Sequence, residues 1–331
     1  MLRRGGASWH SWGMDRRSLL TGLAFFPLLS RAAAAQDFSG FLQRLRTRAL
    51  VAGIPGKVVT QTTAHLTPNA RVIDLDHHQP EFTETWAEYE SHVLSATRIA
   101  AGQQKSAVSR NLLAAITSRF GVPAEPLLGI WGIETNYGKT QGGFDVIDAM
   151  TTLAWDRQGG YFEDEVISAM RIIANGDAPA SRLVGSYAGA MGQPQFMPSV
   201  YLKTAISFTG DGRPDIWGSD ADTLASMGNY LASYGWQPGL PSSEPVLLPP
   251  GFAGASGRRN FTTLAALLAR GVKRLPGAAE LPGETPAALL RPDGPGGQSF
   301  LIYQNFLTIR RYNASDYYAL AVGALGRRVL V

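Results

Sequence analysis

Among the carboxylates of this sequence, Glu134 stands in unusually apolar company. It lies in the segment Pro126–Gly138, PLLGIWGIETNYG, whose proline suits a helix's first turn and whose Asn136 and Gly138 suit its end. Leu127, Ile130, Trp131 and Glu134 are spaced i, i+3, i+4 and i+7, so the carboxyl is expected on the buried stripe of that helix. Two effects there act in the same direction: desolvation by leucine, isoleucine and tryptophan disfavours the charged form, and the negative end of the helix dipole disfavours it again. A raised pKa follows. A carboxylic acid still protonated near neutrality can give its proton to the leaving oxygen of a glycosidic bond. The pattern is also that of a glutamate that reaches out to solvent or pairs with an arginine, and it leaves both readings open.

Downstream, Gly185–Pro198 reads GSYAGAMGQPQFMP, with Gly185, Gly189 and Gly192, two glutamines and no charged residue. Glycines let a chain approach a ligand closely, and hydroxyls and amides bind neutral sugars without the desolvation cost of charge. Tight helix packing would use the same residues. Glycoside cleavage ordinarily needs a second carboxylate. Asp156, Glu163 and Glu165 are available, but Glu163 and Glu165 read as solvated charge on a polar helix face. The histidines, His77 and His78 among them, show no ligand spacing with acidic partners and read as structural.

Periodicity and composition divide the rest of the chain into helical and strand-bearing stretches. Residues 36–103 form an N-terminal helical subdomain, in which Phe41, Leu42, Leu45 and Leu50 share one face and Trp86, Tyr89, Val93 and Ile99 repeat that spacing. Residues 104–238 carry successive helical patterns punctuated by glycine and proline and hold most of the chemistry, which makes them the expected catalytic core. From 239 to 311 the composition turns to proline, glycine and serine, with strands expected at Pro245–Leu248 and Phe300–Tyr303 and connecting loops over Leu281–Gly297. Residues 312–331 end the chain in a helix over Ser315–Leu325, expected to pack on the helical subdomain. The class is α+β, mainly α.

Residues 1–35 read as a signal peptide. Arg16 and Arg17 precede an apolar run from Leu19 to Leu29, and small residues follow up to Ala34 and Ala35, where cleavage is expected. The run is well short of the ~20 residues needed to cross a bilayer, so no membrane span is expected. The arginine pair, followed by Ser18, Leu19 and Leu20, fits a twin-arginine leader. This leader also explains the pI near 9.4: beyond it, acidic and basic residues balance, which removes the clustered charge a nucleic-acid partner would need. There is no cysteine, hence no disulfide and no lipid-accepting thiol.

Taken together, Gln79-Pro80-Glu81-Phe82, GIWGIETNYG, TTLAWD at Thr151–Asp156, YFEDEV at Tyr161–Val166, GSYAGAMGQPQFMPS, DGRPDIW at Asp211–Trp217, Asn229–Trp236 and RYN at Arg311–Asn313 resemble family 3 lytic murein transglycosylases. The resemblance implies a lysozyme-like helical catalytic core, a flanking helical domain made from both chain ends and a small β-containing insertion. It implies that Glu134 is the single catalytic acid/base, that Ser186 and Gln195 hold the sugar, and that Tyr230, Asn305 and Tyr312 line the same groove. The partners it implies are peptidoglycan glycan strands, met by a monomer in the periplasm. The bond it implies is the β-1,4 link from N-acetylmuramic acid to N-acetylglucosamine, cleaved to a 1,6-anhydromuramoyl end with the substrate supplying what a second carboxylate would. A hydrolytic muramidase and a non-catalytic peptidoglycan-binding protein are the rival readings. No cofactor is required on this reading. The family often carries a calcium loop near Ser207–Asp222, and Asp211, Asp215 and Asp222 are the candidate ligands here, although Ser207 and Thr209 replace the acidic residues such a loop favours.

Overall fold

The computed structural model of the protein describes residues 31–78, 84–208, 210 and 212–331. The expected leader therefore lies outside the described residues as far as residue 30, and so do residues 79–83, Thr209 and the calcium candidate Asp211.

Helix α1 (Arg31–Val51) is followed by α2 (Gly56–Thr63), α3 (Ala70–His77), α4 (Trp86–Val93) and α5 (Ala96–Val108). The short helices have local reasons to begin: Asn69, Thr85 and Ser95 accept hydrogen bonds from first-turn amides, and Thr85 with Glu88 forms a reciprocal capping box. Helix α6 (Arg110–Phe120), closed by the left-handed Gly121, leads into α7 (Ala124–Thr135), the helix that carries Glu134. Strand β1 (Phe144–Asp145), α8 (Val146–Arg157), α9 (Gly160–Asn175), β2 (Val184–Gly185), α10 (Pro198–Thr204) and α11 (Asp220–Ser233) complete this part.

Helix α7 is not the one-sided element that its spacing suggested. Every residue from Pro126 to Trp131, and Gly132 after it, is buried, the mark of a helix enclosed by protein on all sides. Its most extensive neighbour comes from the far end of the chain, α14 (Asp316–Val329). The two backbones nearly touch, because a Cβ on Gly129 would lie 2.1 Å from the Val322 carbonyl oxygen and one on Gly326 would lie 2.2 Å from that of Glu125. Helix α14 also packs on α4 and α5.

Between these parts runs a mixed stretch: β3 (Ser243–Leu247), β4 (Thr262–Thr263), α12 (Leu264–Ala269), β5 (Lys273–Arg274), β6 (Pro286–Leu290) and β7 (Ser299–Ile302). The strands form one antiparallel sheet in the order β4-β6-β7-β3-β5. Side chains alternate along a strand, so Ala288, Leu290, Phe300 and Ile302 join the main core while Ala287, Leu289, Leu301 and Tyr303 pack with Leu264 and Leu267 in a second, smaller one. The segment read as β-containing up to 311 turns helical earlier, as α13 (Gln304–Tyr312).

Glu165 is not solvated charge: it is 4 % exposed, shares the buried face of α9 with Phe162, Val166, Ala169 and Met170, and accepts hydrogen bonds from the Ser199 amide (2.9 Å) and hydroxyl (2.6 Å). Burial raises its pKa, with the Ser199 bonds opposing. Glu163 is paired with Arg48 at 2.7 Å. No helix among the described residues is long and apolar enough to cross a membrane.

Candidate active site

Glu134 lies in the last turn of α7, where the chain leaves the helix through three residues of positive φ: Asn136 at 48°, Tyr137 at 60° and Gly138 at 87°. Asparagine and glycine tolerate this region, whereas a tyrosine held there is strained and persists only where packing over-determines it. The Tyr137 ring is 3 % exposed and meets Trp131 edge-on at 5.6 Å. Its hydroxyl fits over Gly102 and Gly132, where a Cβ would come within 2.2 and 2.6 Å of it. The helix end is thus pinned from below while the Glu134 carboxyl faces a partly open side.

The carboxyl is half-buried. Burial pushes its pKa up to about 7, and a hydrogen bond from Tyr318 restrains the rise. The Tyr318 hydroxyl donates to Glu134 Oε1 at 2.6 Å. Tyr318 sits in the first turn of α14, which Ser315 caps. Around the acid the phenols of Tyr89, Tyr312 and Tyr318 are all raised, by burial first and by the Glu134 carboxylate next, that of Tyr89 to about 12. They therefore remain neutral donors over any working pH. Sequence reasoning missed Tyr318 and Tyr89; the paired Tyr317 and Tyr318 at the start of an expected helix were the available signal.

The glycine-rich segment is tied to this helix end. Trp131 Nε1 donates to Gln193 Oε1 at 2.8 Å and Thr135 Oγ1 to the Gln193 carbonyl at 2.8 Å, while Tyr312 donates to the Pro194 carbonyl at 2.5 Å. Gln195, at φ 51°, directs its amide to the Gly192 carbonyl at 2.8 Å and stays half-buried. Ser186 closes a tight turn in which its Oγ accepts from the Ala190 amide at 3.1 Å. The glycines are sterically required there, since a Cβ on Gly185 would lie 2.0 Å from the Ala190 carbonyl oxygen. Glu134, Tyr312 and the Gln193–Gln195 turn are therefore brought together.

Other expected residues fall elsewhere. Tyr230 is 5 % exposed, gives its hydroxyl proton to the Arg311 carbonyl at 2.7 Å and packs its ring 4.9 Å behind that of Tyr312, so it backs the wall. Asn305 does not line the groove: it is fully buried, accepts from the Gln237 amide (2.7 Å) and donates to the carbonyls of Gln237 (2.8 Å) and Leu240 (2.6 Å). An amide with these bonds is occupied in holding α13 to the preceding loop. Asp156 pairs with His77 at 2.8 Å. With Asp76 the pair brings ligand atoms within 4.8 Å of one another, but Arg157 already neutralises that carboxylate, Nε to Oδ2 at 2.8 Å.

The calcium candidates in the described residues are committed to protein donors. Asp215 accepts from the amides of Trp217 (3.1 Å) and Gly218 (2.9 Å) and pairs with Arg182 at 2.9 Å. Burial pushes its pKa up, but these amides and the guanidinium outweigh it and hold the carboxyl below its usual range. Asp222, 1 % exposed, accepts from the amides of Phe208 (2.8 Å) and Asp215 (2.9 Å). These donor sets do not fit a calcium site, because a cation would have to displace a guanidinium and backbone amides that already satisfy the carboxylates.

Comparison with known proteins agrees with this architecture. The family described as a transglycosylase SLT domain matches residues 37–327. The chain belongs to this family. It is 36 % identical over 218 residues to the membrane-bound lytic murein transglycosylase B of Escherichia coli K12, a match over 63 % of this chain that spans only 58 % of that relative's length. In structure it is similar to SltB3 from Pseudomonas aeruginosa, crystallised in complex with NAG-anhNAM-pentapeptide, at a TM-score of 0.84 and 37 % identity over 89 % of this chain and 80 % of that one. It is also similar to E. coli Slt35, crystallised in complex with calcium, at a TM-score of 0.74 and 28 % identity over 90 % and 94 % of the two chains. The mainly helical, lysozyme-like fold with a small sheet is thus that of lytic transglycosylases.

Proposed function

We propose that this protein is a lytic transglycosylase that cleaves the β-1,4 bond between N-acetylmuramic acid and N-acetylglucosamine in peptidoglycan, with Glu134 as its one acid/base. The observation that carries the reading is a half-buried carboxyl with a pKa of about 7, hydrogen-bonded by a phenol, at the edge of a wall of aromatic rings and beside an uncharged glycine-rich turn. Protonated Glu134 gives its proton to the glycosidic oxygen as the C1–O bond breaks, and the N-acetyl carbonyl oxygen of the muramic acid bonds to C1 in its place. The C6 hydroxyl then attacks C1 and expels that oxygen, and its proton returns to Glu134. No water is consumed, the product ends in 1,6-anhydromuramic acid, and the acid is regenerated. Tyr318 supports the second step, since its O–H steadies the carboxylate that must exist between the two proton transfers.

Gln195 and Ser186 hold the sugar on this reading and Tyr312 forms the wall beside it, backed by Tyr230. The binding of an anhydro-ended muropeptide by SltB3, which shares the fold, supports the choice of product. Asp15–Gln36 supports export to the periplasm by the twin-arginine route, with cleavage near Ala34 or Ala35; on this proposal the protein acts there as a monomer. Mass spectrometry of digested sacculi tests the reaction: anhydro products are expected one water lighter than hydrolytic ones. Reducing ends would make the protein a muramidase, and no release would leave it a binder. Glu134→Gln is expected to lower release by about 10²- to 10⁴-fold, the usual contribution of a positioned acid, with binding of glycan strands retained.

A further inference from the structure

We propose that Arg182 is the resident cation beside Asp215 in the Ser207–Asp222 loop, so that its guanidinium does the work a calcium ion does in an EF-hand-like loop and the described arms at Phe208 and Asp215–Gly218 keep their places without metal. In such a loop the sixth position is glycine and oxygen ligands come from positions 1, 3, 5, 7, 9 and 12, the last a bidentate carboxylate. With Gly212, at φ 90°, as the sixth, Ser207 is first, Asp215 ninth and Gly218 twelfth. The bidentate ligand is therefore missing. A Cβ on Gly218 would lie 2.9 Å from Asp215 Oδ2 and 3.6 Å from Arg182 Nη2, so the guanidinium–carboxylate pair fills the space beside the position that would otherwise supply that ligand. Arg182 closes the short 3₁₀ turn Ala180–Arg182, just before β2 and the glycine-rich segment. This fixed charge reaches Asp215 from outside the loop, while the buried Asp222 carboxylate fastens the loop's two arms through the amides of Phe208 and Asp215. The loop's product is a pair of carbonyls aimed at the site: Ile216 accepts from the Gln193 amide at 2.9 Å and Trp217 from Gln141 Nε2 at 3.0 Å. Arg182 is in this sense a positioning residue, and the inference stands independently of the role given to Glu134.

The test is thermal melting of the full chain in EDTA and in about 5 mM calcium chloride, above the range of even weak extracellular calcium sites, with magnesium chloride at matched ionic strength as control. A site filled well above its Kd would raise Tm by several degrees. The expected result is no calcium-specific shift. Arg182→Met in EDTA is expected to melt about 1–3 °C lower, the scale of a half-exposed ion pair. That deficit should shrink in 1 M salt and be partly recovered in Arg182→Lys, neither of which a loss of packing alone would show. Terbium emission sensitised by Trp217 reads occupancy directly and is expected to be absent. A calcium-specific rise in Tm, terbium emission that calcium competes away, or an Arg182→Met chain that melts with the parent at low salt would each overturn the proposal.

Discussion

Holding a carboxyl group protonated at neutrality costs stability, and Glu134 sets the size of that cost. Its folded pKa is about 7 against an ordinary 4.5, so the folded state binds the proton more tightly than the unfolded one. The stability linked to that proton is fully present below the unfolded pKa and is lost as pH rises through 7, leaving a penalty of about 3 kcal/mol. Glu134→Gln is therefore expected to raise Tm by a few degrees near pH 8.5 and hardly at all near pH 4.5, which paired melts at the two pH values would show. An equal gain at both would mean that the carboxyl is not desolvated. On the proposed mechanism activity runs with the same proton and is expected to decline as pH rises through about 7, since the acid form would begin the reaction. Removing the Tyr318 hydroxyl removes the bond that favours the carboxylate, so Tyr318→Phe should move the basic limb of the pH–rate profile to higher pH; a limb that stays in place would show that the phenol does not tune the acid. The desolvated setting of Glu134 was legible because apolar spacing, helix stop and acid all lie within one short segment. Tyr318 was not, since it reaches the acid from 184 positions away and only the packing of α14 reveals the pairing.

At the scale of elements, what sets the distance from Tyr318 to Glu134 is the approach of α14 to α7, and that approach depends on glycines. A methyl group on Gly129 would meet the Val322 backbone carbonyl at 2.1 Å, and backbone cannot swing aside as a side chain can. Gly129→Ala is expected to cost about 1–3 kcal/mol and to lower activity as well, because the helices must part to admit the methyl. Gly160→Ala, in the first turn of α9 with nothing within 4 Å of its Cβ, is the control and should be neutral or stabilising by up to about 1 kcal/mol. Melting curves and rates on both variants decide it, and a Gly129→Ala chain that melts like the parent would deny the close contact. The same scale explains two misreadings. Glu165 fits the apolar stripe of α9 at helical spacing, yet its charge outweighed its position in the reading, and the partner that satisfies it, Ser199, lies 34 residues on. Asn305 was placed in the groove by the family resemblance although it lies outside the matching blocks, and burial depends on which side of α13 meets the loop at 237–240, which is a tertiary fact.

For the whole molecule, the question is whether the sheet-bearing stretch is an appendage or part of one cooperative unit. Composition marked it off by its proline and glycine, and nothing in that signal says how it is attached. The structure attaches it through one face of the sheet: Ala288, Leu290, Phe300 and Ile302 are buried in the main core. Phe300 meets Trp86 of α4 edge-on at 5.6 Å, and Trp86 is further held by hydrogen bonds of its amide to Asp293 and of its indole to Gln298, both at 2.7 Å. An N-terminal helix is thus clasped to the sheet, α14 lies against both α4 and α7, and the sheet shares buried apolar contact with the helical core through its inner face. Unfolding in denaturant is accordingly expected to be a single transition, with far-UV circular dichroism and tryptophan fluorescence coincident. Phe300→Ala should remove about 3–5 kcal/mol and shift both probes together, because the cavity it leaves lies in the shared core. If the sheet were an independent module, the variant would split the transition, with the part of the fluorescence that comes from Trp86, the tryptophan packed on Phe300, changing at lower denaturant than the helical signal. That outcome would also separate loss of the sheet from loss of the Glu134 site, since α7 and α14 would remain folded and active after the first step.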